Sequence, residues 1–170
     1  MRNDRTSTLS GTKIISLSNL KRKIILLKQE GKRIVFTNGC FDILHYGHVK
    51  YLQDARNKGD YLVVAVNSDS SIKKIKAKNR PVIGQNDRLR TVAALASVDF
   101  VVLFNQDNPL SLIKTLKPDI LIKGADWSKK KIIGADFVES YGGRVLTVHL
   151  VKGRSTSAII EKIVRDFAKK

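Results

Sequence analysis

The sequence is poor in the residues that form disulfides and membrane spans. Its 170 residues include one cysteine, Cys40, and no apolar run approaches the length of a transmembrane helix. A single cysteine excludes an internal disulfide and is typical of a reducing compartment. The polar start, Met1–Ser16, lacks the apolar segment of a secretory signal. We therefore expect a cytoplasmic protein without a membrane partner.

Acidic residues are also scarce, because 15 Asp and Glu stand against 32 Lys and Arg, a net charge of +17. Such a surplus suits anionic small molecules, nucleic acid or a solvated surface, and charge alone does not separate them. No aromatic side chains that could stack on bases are interleaved with the basic clusters, which disfavours a nucleic-acid partner. The basic clusters are Lys21–Lys23, Lys73–Lys78, Lys129–Lys131 and Lys169–Lys170.

Five short apolar stretches alternate with helical patterns along the chain. Strands that are apolar on both faces and separated by helices are typical of a parallel sheet covered on both sides. The sequence therefore predicts an α/β fold with one domain over residues 17–170, preceded by a flexible arm over residues 1–16. We expect a doubly wound, five-stranded parallel Rossmann-like sheet in the order 3-2-1-4-5. The predicted strands are Ile34–Thr37, Tyr61–Val66, Phe100–Phe104, Ile120–Ile122 and Arg144–Leu150.

The most informative stretch runs from Thr37 to His48, between the first predicted strand and a helical pattern. A strand end that opens onto a helix N-terminus directs free backbone N–H groups and the positive end of the helix dipole outward, which suits a phosphate. His45 and His48 frame Gly47, which lets the backbone approach a ligand closely. We interpret this turn as a polyphosphate site.

A second polar turn, Lys123–Asp126, follows the fourth predicted strand. Ligands of doubly wound sheets bind beyond the carboxyl ends of the strands, where the strand order reverses. For the order 3-2-1-4-5, strands one and four flank that point. The two turns are therefore expected to face each other across one crevice. Trp127, which follows the second turn, is interpreted as a packing residue rather than a base-stacking one.

A last amphipathic helix is expected to begin at a cap formed by Thr156 or Ser157. Its apolar residues recur at helical spacing. They are Ile159, Ile160, Ile163, Val164 and Phe167.

Taken in order, several motifs resemble those of the H-x-G-H nucleotidylyltransferases, which join a phosphorylated small molecule to a nucleoside triphosphate and release pyrophosphate. The resemblance covers about residues 17–164. It is closest to the heptose 1-phosphate adenylyltransferases of ADP-heptose synthesis. Because these 170 residues do not include the kinase domain that is fused to the transferase in some members, we expect the stand-alone form. The motifs are Gly39–Asp42, His45–His48, Asn67–Asp69, Lys76 with Arg80–Pro81, Lys123–Asp126, Gly142–Gly143 and Ser155–Ile160.

The resemblance implies a role for each matching residue. His45, His48 and Lys123 would be catalytic. The nucleotide would be bound by Thr37, Asn38, Gly39, Phe41, Gly47, Gly124, Asp126, Ser155, Thr156 and Ser157. The sugar phosphate would contact Asp42, Lys76, Arg80 and Arg88. For Asp42, a turn residue that bonds its own backbone is an equally good interpretation.

The implied reaction transfers AMP from ATP to D-glycero-β-D-manno-heptose 1-phosphate, a step of lipopolysaccharide biosynthesis. A sugar phosphate oxygen is already anionic, so it needs alignment and charge neutralisation rather than a strong general base. We therefore interpret the histidines as hydrogen-bond donors. Mg²⁺ would be held mainly by the ATP phosphates, with no dedicated protein metal site.

Two other functions stay open. The histidine turn also suits a cytidylyltransferase acting on glycerol 3-phosphate or a related alcohol phosphate. The charge of +17 keeps a basic nucleic-acid-binding protein as an alternative from a different class. The oligomeric state is open as well, and a homodimer is one expectation.

Overall fold

The computed structural model describes residues 13–76, 79–128 and 131–168. Seven α-helices and five β-strands are found in these ranges. The strands are β1 (Ile34–Gly39), β2 (Tyr61–Asn67), β3 (Phe100–Phe104), β4 (Ile120–Gly124) and β5 (Arg144–Val148). The helices are α1 (Leu17–Gln29), α2 (Tyr46–Arg56), α3 (Asp69–Ile75), α4 (Gln85–Ala93), α5 (Leu110–Leu116), α6 (Ala135–Ser140) and α7 (Thr156–Phe167).

The strands form one parallel sheet in the order β3-β2-β1-β4-β5, which confirms the predicted fold class and strand order. β1 and β4 extend two residues beyond their predicted ends, because backbone pairing continues where the side chains become polar. β5 ends two residues earlier than predicted, at Val148. Its neighbour β4 ends at Gly124, so the next residues of the chain have no strand to pair with.

Two hydrophobic layers cover the two faces of the sheet. One layer is formed by α1, α5 and α6 and contains Phe36 of β1. The other is formed by α2 and α4 and contains Val35, whose side chain points to the opposite face. The helices therefore hold the sheet from both sides and leave the carboxyl ends of β1 and β4 open at one edge.

The predicted arm over residues 1–16 lies mostly outside the described residues. Its last four residues, 13–16, are held against the domain. Ile15 donates its backbone N–H to Val101 O of β3 at 2.9 Å, and Ile14 forms a bridge to the same residue. Ser16 then caps α1, since its hydroxyl oxygen accepts from Asn19 N.

The last helix, α7, differs from the expectation at its start. Ser155 is the cap, because its Oγ accepts a hydrogen bond from Ala158 N at 3.1 Å, whereas Thr156 and Ser157 begin the helix. None of the residues of α7 is fully buried, and Phe167 is 74% exposed. No helix in the described part of the chain is long and apolar enough to cross a membrane.

Candidate active site

A cavity of about 1040 Å³ opens at the carboxyl edge of the sheet, between the ends of β1 and β4. It is the crevice that the strand order predicts. The histidine turn, the Lys123–Asp126 turn and the start of α7 all line it. Of the residues to which the resemblance assigns a catalytic or binding role, all except Thr37 and Arg88 lie on its wall.

The two histidines of the turn are stacked. Their ring centroids lie 4.0 Å apart at an interplanar angle of 27°. His45 is the cap of α2, and its Nδ1 accepts from Gly47 N at 3.1 Å. Because Nδ1 is the acceptor, Nε2 carries the proton in the neutral ring and is the atom able to donate to a ligand.

Gly47 cannot be replaced by a larger residue without moving this pair. A Cβ at Gly47 would lie 2.8 Å from His45 Cε1 and 3.2 Å from Arg154 Cβ.

The turn also has unusual backbone angles on both sides of Asp42, since Phe41 and Ile43 have φ of +50° and +49°. For a β-branched residue such as Ile43, this conformation is strained.

Burial favours the neutral form of both histidines. Desolvation, together with the neighbouring His45, lowers the pKa of His48 to about 4. Burial and the charge of Arg154 also lower the pKa of His45. His48 Nδ1 is buried and has no hydrogen-bond partner within the described ranges. The pair can therefore donate N–H groups to an anion without first carrying charge.

Lys123 faces the histidine turn from β4. Its ammonium donates to the side-chain oxygen of Asn38 and lies 3.3 Å from Asn38 O. Burial lowers the pKa of Lys123 to about 8. Gly124 follows it without a side chain, because a Cβ there would collide with Asp126 Oδ1. The Lys123 ammonium and the backbone of Gly124 thus face the two histidines, which donate hydrogen bonds in their neutral form.

Another side of the cavity lies close to the start of α4. Lys76 and Arg80 line it. Asp42 is 2% exposed, and its carboxylate accepts from Val82 N and Ile83 N, each at 2.9 Å. Arg80 Nε lies 2.8 Å from Asp42 Oδ2. The structure thus gives Asp42 protein partners.

Thr37 and Arg88 lie beneath the cavity rather than on its wall. Thr37 is fully buried, and its hydroxyl lies 2.7 Å from Tyr51 OH and donates to Ile122 O at 3.0 Å. Arg88 is 1% exposed and donates to Ile83 O, Cys40 O and the carboxylate of Asp69. Their polar groups are directed at the protein.

Several residues of the cavity wall were given no role in binding or catalysis from the sequence. Arg154 stands beside the histidines, at the end of the loop before α7. Asn67, at the end of β2, is nearly buried and lines the cavity. Trp127 is 46% exposed on the wall, so its interpretation as a packing residue is wrong. Asn67 ends β2 and Trp127 closely follows β4, and a position at the carboxyl end of a strand could have indicated that both residues line the cavity.

A family model described as Cytidylyltransferase-like matches residues 36–167. The bifunctional protein HldE of Geobacter sulfurreducens is 53% identical over 155 residues, which cover 91% of this chain and 32% of that protein. HldE of Campylobacter fetus subsp. fetus is 56% identical over 151 residues, with 89% and 31% covered. The chain therefore spans about a third of the length of these relatives.

Solved structures show the same fold. A lipopolysaccharide core biosynthesis protein from Thermoplasma volcanium GSS1 is 31% identical, with a TM-score of 0.58, covering 72% of this chain and 99% of that one. A pantoate-β-alanine ligase from Francisella tularensis is 14% identical, with a TM-score of 0.59, covering 85% and 68%. At that identity the second likeness concerns the fold alone.

Proposed function

Because this chain belongs to the cytidylyltransferase-like family and is a nucleotidyltransferase, we propose that it transfers AMP from ATP to D-glycero-β-D-manno-heptose 1-phosphate. The products are ADP-heptose and pyrophosphate. The observation that carries this proposal is the pair of stacked, neutral histidines facing a buried lysine across one cavity. The identity with HldE and the likeness to a lipopolysaccharide core biosynthesis protein support it. We assign the reaction to lipopolysaccharide biosynthesis in the cytoplasm.

In the proposed reaction, a phosphate oxygen of the sugar attacks the α-phosphorus of ATP, and the bond from that phosphorus to the bridging oxygen of the β-phosphate breaks. The attacking oxygen is already anionic, so no residue has to remove a proton. The enzyme has to align the two phosphates and stabilise the charge that grows on pyrophosphate. Neutral N–H donors and a nearby cation are the groups suited to that task.

Each residue near the histidine turn has a role on this proposal. His45 Nε2 and the His48 ring donate to the oxygens of the triphosphate, and Lys123 adds positive charge from β4. Ser155, Thr156 and Ser157 bring the N-terminus of α7, with its free N–H groups and positive dipole, to the same phosphates. Asn38, Gly39, Phe41, Gly124 and Asp126 border the nucleotide.

The cations at the other end of the cavity suit the acceptor. Lys76 and Arg80 would hold the phosphate of the sugar. A guanidinium binds a phosphate through parallel N–H groups, so Arg80 is the stronger candidate for fixing its orientation. Thr37 and Arg88 keep supporting roles on this proposal, since neither reaches the cavity wall.

Magnesium, when bound, would neutralise part of the triphosphate charge. The described residues contain no group of three or more His, Cys, Asp or Glu side chains placed to hold a metal ion. On the proposed function, the ion would take most of its ligands from phosphate oxygens and water. The protein residues that neutralise the phosphates directly remain Lys123 and the donors of the histidine turn.

A pyrophosphate-release assay over a panel of substrates tests the proposal. ATP with the heptose 1-phosphate should give turnover, and CTP with glycerol 3-phosphate should not. The reverse result would make the chain a cytidylyltransferase, a candidate that the description of the matching family model favours. RNA binding that weakens by about 10³ or more between low and moderate salt, without pyrophosphate release, would instead indicate a nucleic-acid-binding protein. Size-exclusion chromatography with light scattering tests the expected homodimer.

A further inference from the structure

The buried carboxylate of Asp42 contacts other residues of the cavity. It receives the backbone N–H groups of Val82 and Ile83, each at 2.9 Å, and lies 2.8 Å from Arg80 Nε. The Asp42 side chain is 1% exposed, so little of it is left to meet a ligand. One buried carboxylate therefore contacts both the backbone at Val82 and Ile83 and the guanidinium of Arg80.

The backbone of Asp42 holds a second wall of the cavity. Thr156 Oγ1, at the start of α7, donates to Asp42 O at 2.6 Å. Asp42, in the histidine turn, thus contacts the segment of Arg80, Val82 and Ile83 through its side chain. It contacts the start of α7 through its backbone oxygen. The left-handed conformations of Phe41 and Ile43 place Asp42 between these two walls.

Arg88 braces the same segment from below. It donates to Ile83 O at 2.9 Å, to Cys40 O at 2.5 Å and to Asp69 Oδ1 at 2.7 Å. Ile83 is therefore held at its N–H by Asp42 and at its carbonyl by Arg88. The backbone that leads from Arg80 to α4 is fixed before any ligand arrives.

We propose that Asp42 is a positioning residue that acts through Arg80, holding its guanidinium ready for the phosphate of the acceptor. Arg80 Nε is the guanidinium atom nearest to Asp42, in an ion pair that lacks hydrogen-bond geometry, and the guanidinium also carries two terminal amino groups. These groups can form parallel hydrogen bonds to a phosphate. An arginine already held in place loses less rotamer freedom on binding, which improves affinity. The inference rests on the proposed function only in taking a phosphorylated acceptor as the ligand of Arg80.

A double-mutant cycle with Asp42→Asn and Arg80→Gln tests the proposal in initial-rate kinetics. Asp42→Asn should raise the KM for the acceptor about tenfold, the effect of one lost preorganised side chain, with the kcat at saturating acceptor nearly unchanged. Since Asp42 acts through Arg80, the double variant should resemble Arg80→Gln alone. Additive effects in the cycle, or a fall in kcat with an unchanged acceptor KM, would overturn the proposal.

Asp99→Asn is the matched control. Asp99 also accepts a backbone N–H, from Leu62 at 2.7 Å, and pairs with an arginine, Arg56, at 2.8 Å. It lies at the amino ends of β2 and β3, the edge opposite the cavity. This variant should lower the melting temperature but leave the acceptor KM unchanged. An acceptor KM raised as much as in Asp42→Asn would reduce the role of Asp42 to general stability and overturn the proposal.

Hydrogen exchange in the wild-type protein decides the question if Asp42→Asn does not fold. The amides of Val82 and Ile83 should exchange slowly in the free protein as well as with the acceptor bound. Rapid exchange in the free protein, slowed only by the acceptor, would show that the segment is not held in advance. Both tests use whichever acceptor the substrate panel identifies, glycerol 3-phosphate included, so a wrong heptose assignment leaves them intact.

Discussion

The depressed pKa of Lys123 predicts an alkaline limit to the proposed reaction that a single substitution should remove. Burial lowers this pKa to about 8, so in the free enzyme the ammonium loses its proton at a pH where an ordinary lysine is charged. If the charged form is needed to bind the triphosphate, kcat/KM for ATP should follow the protonated fraction. That fraction falls from about 90% at pH 7 to about 10% at pH 9, a loss of about tenfold.

Lys123→Arg is the informative variant, because a guanidinium stays charged throughout this range. Its kcat/KM should start lower, since the longer side chain displaces the contact with Asn38, but should stay level from pH 7 to pH 9. Lys123→Gln should lose about 10² in kcat, the usual order for one preorganised group acting on developing charge. Lys50→Gln, a change on the exposed face of α2, should keep the wild-type profile.

Stability gives an independent check with the opposite sign. The unfolded chain keeps this proton up to a pH of about 10.5 and the folded protein loses it near 8, so the unfolded state binds more protons between these values. The free energy of unfolding should therefore rise with pH in this window, by about 3 kcal/mol at most. Urea unfolding of the wild type against Lys123→Gln measures the difference. Two kinetic results would refute the reasoning. One is a kcat/KM for ATP that still falls between pH 7 and pH 9 in Lys123→Arg, and the other is a wild-type kcat/KM that does not change over this range.

The histidine turn gives four further expectations. His48→Ala should keep the fold and lower kcat by about 10² or more in the pyrophosphate-release assay. The pKa of His48 is about 4 in the folded protein and 6.5 in the unfolded chain, so the unfolded state binds more protons between these values. The free energy of unfolding should therefore fall as the pH decreases through this window. A His48→Gln variant should lose this part of the pH dependence in acid titrations of unfolding. Gly47→Ala should lower kcat/KM about tenfold or more by displacing His45, whereas Gly84→Ala, with no atom closer than 4.0 Å to the new Cβ, should not. Arg154→Gln should raise the KM for ATP more than that for the acceptor in two-substrate kinetics.

The sheet and the position of the cavity could be predicted because they depend on local patterns. Apolar strands between helices define a parallel sheet, and the strand order then sets which turns meet. The turns after β1 and β4 therefore fell on one cavity, as expected. Arg88 shows where that reasoning ends. The resemblance implies that Arg88 contacts the substrate, but its partners, Cys40, Asp69 and Ile83, come from three separate segments. Only the packed structure shows that it is buried beneath them.

The cavity also explains why a net charge of +17 says little about the ligand. Lys123 is partly discharged by burial, and the histidines beside it are neutral, so the free site carries less positive charge than its composition suggests. An anionic triphosphate should raise the pKa of each of these groups, because a nearby opposite charge favours the protonated form. Binding should therefore take up protons, and the loss of pyrophosphate should release them. Calorimetry of ATP binding in buffers of different ionisation enthalpy would detect this uptake at pH 8, where Lys123 is half protonated. A binding enthalpy independent of the buffer would mean that the phosphates do not lie against Lys123.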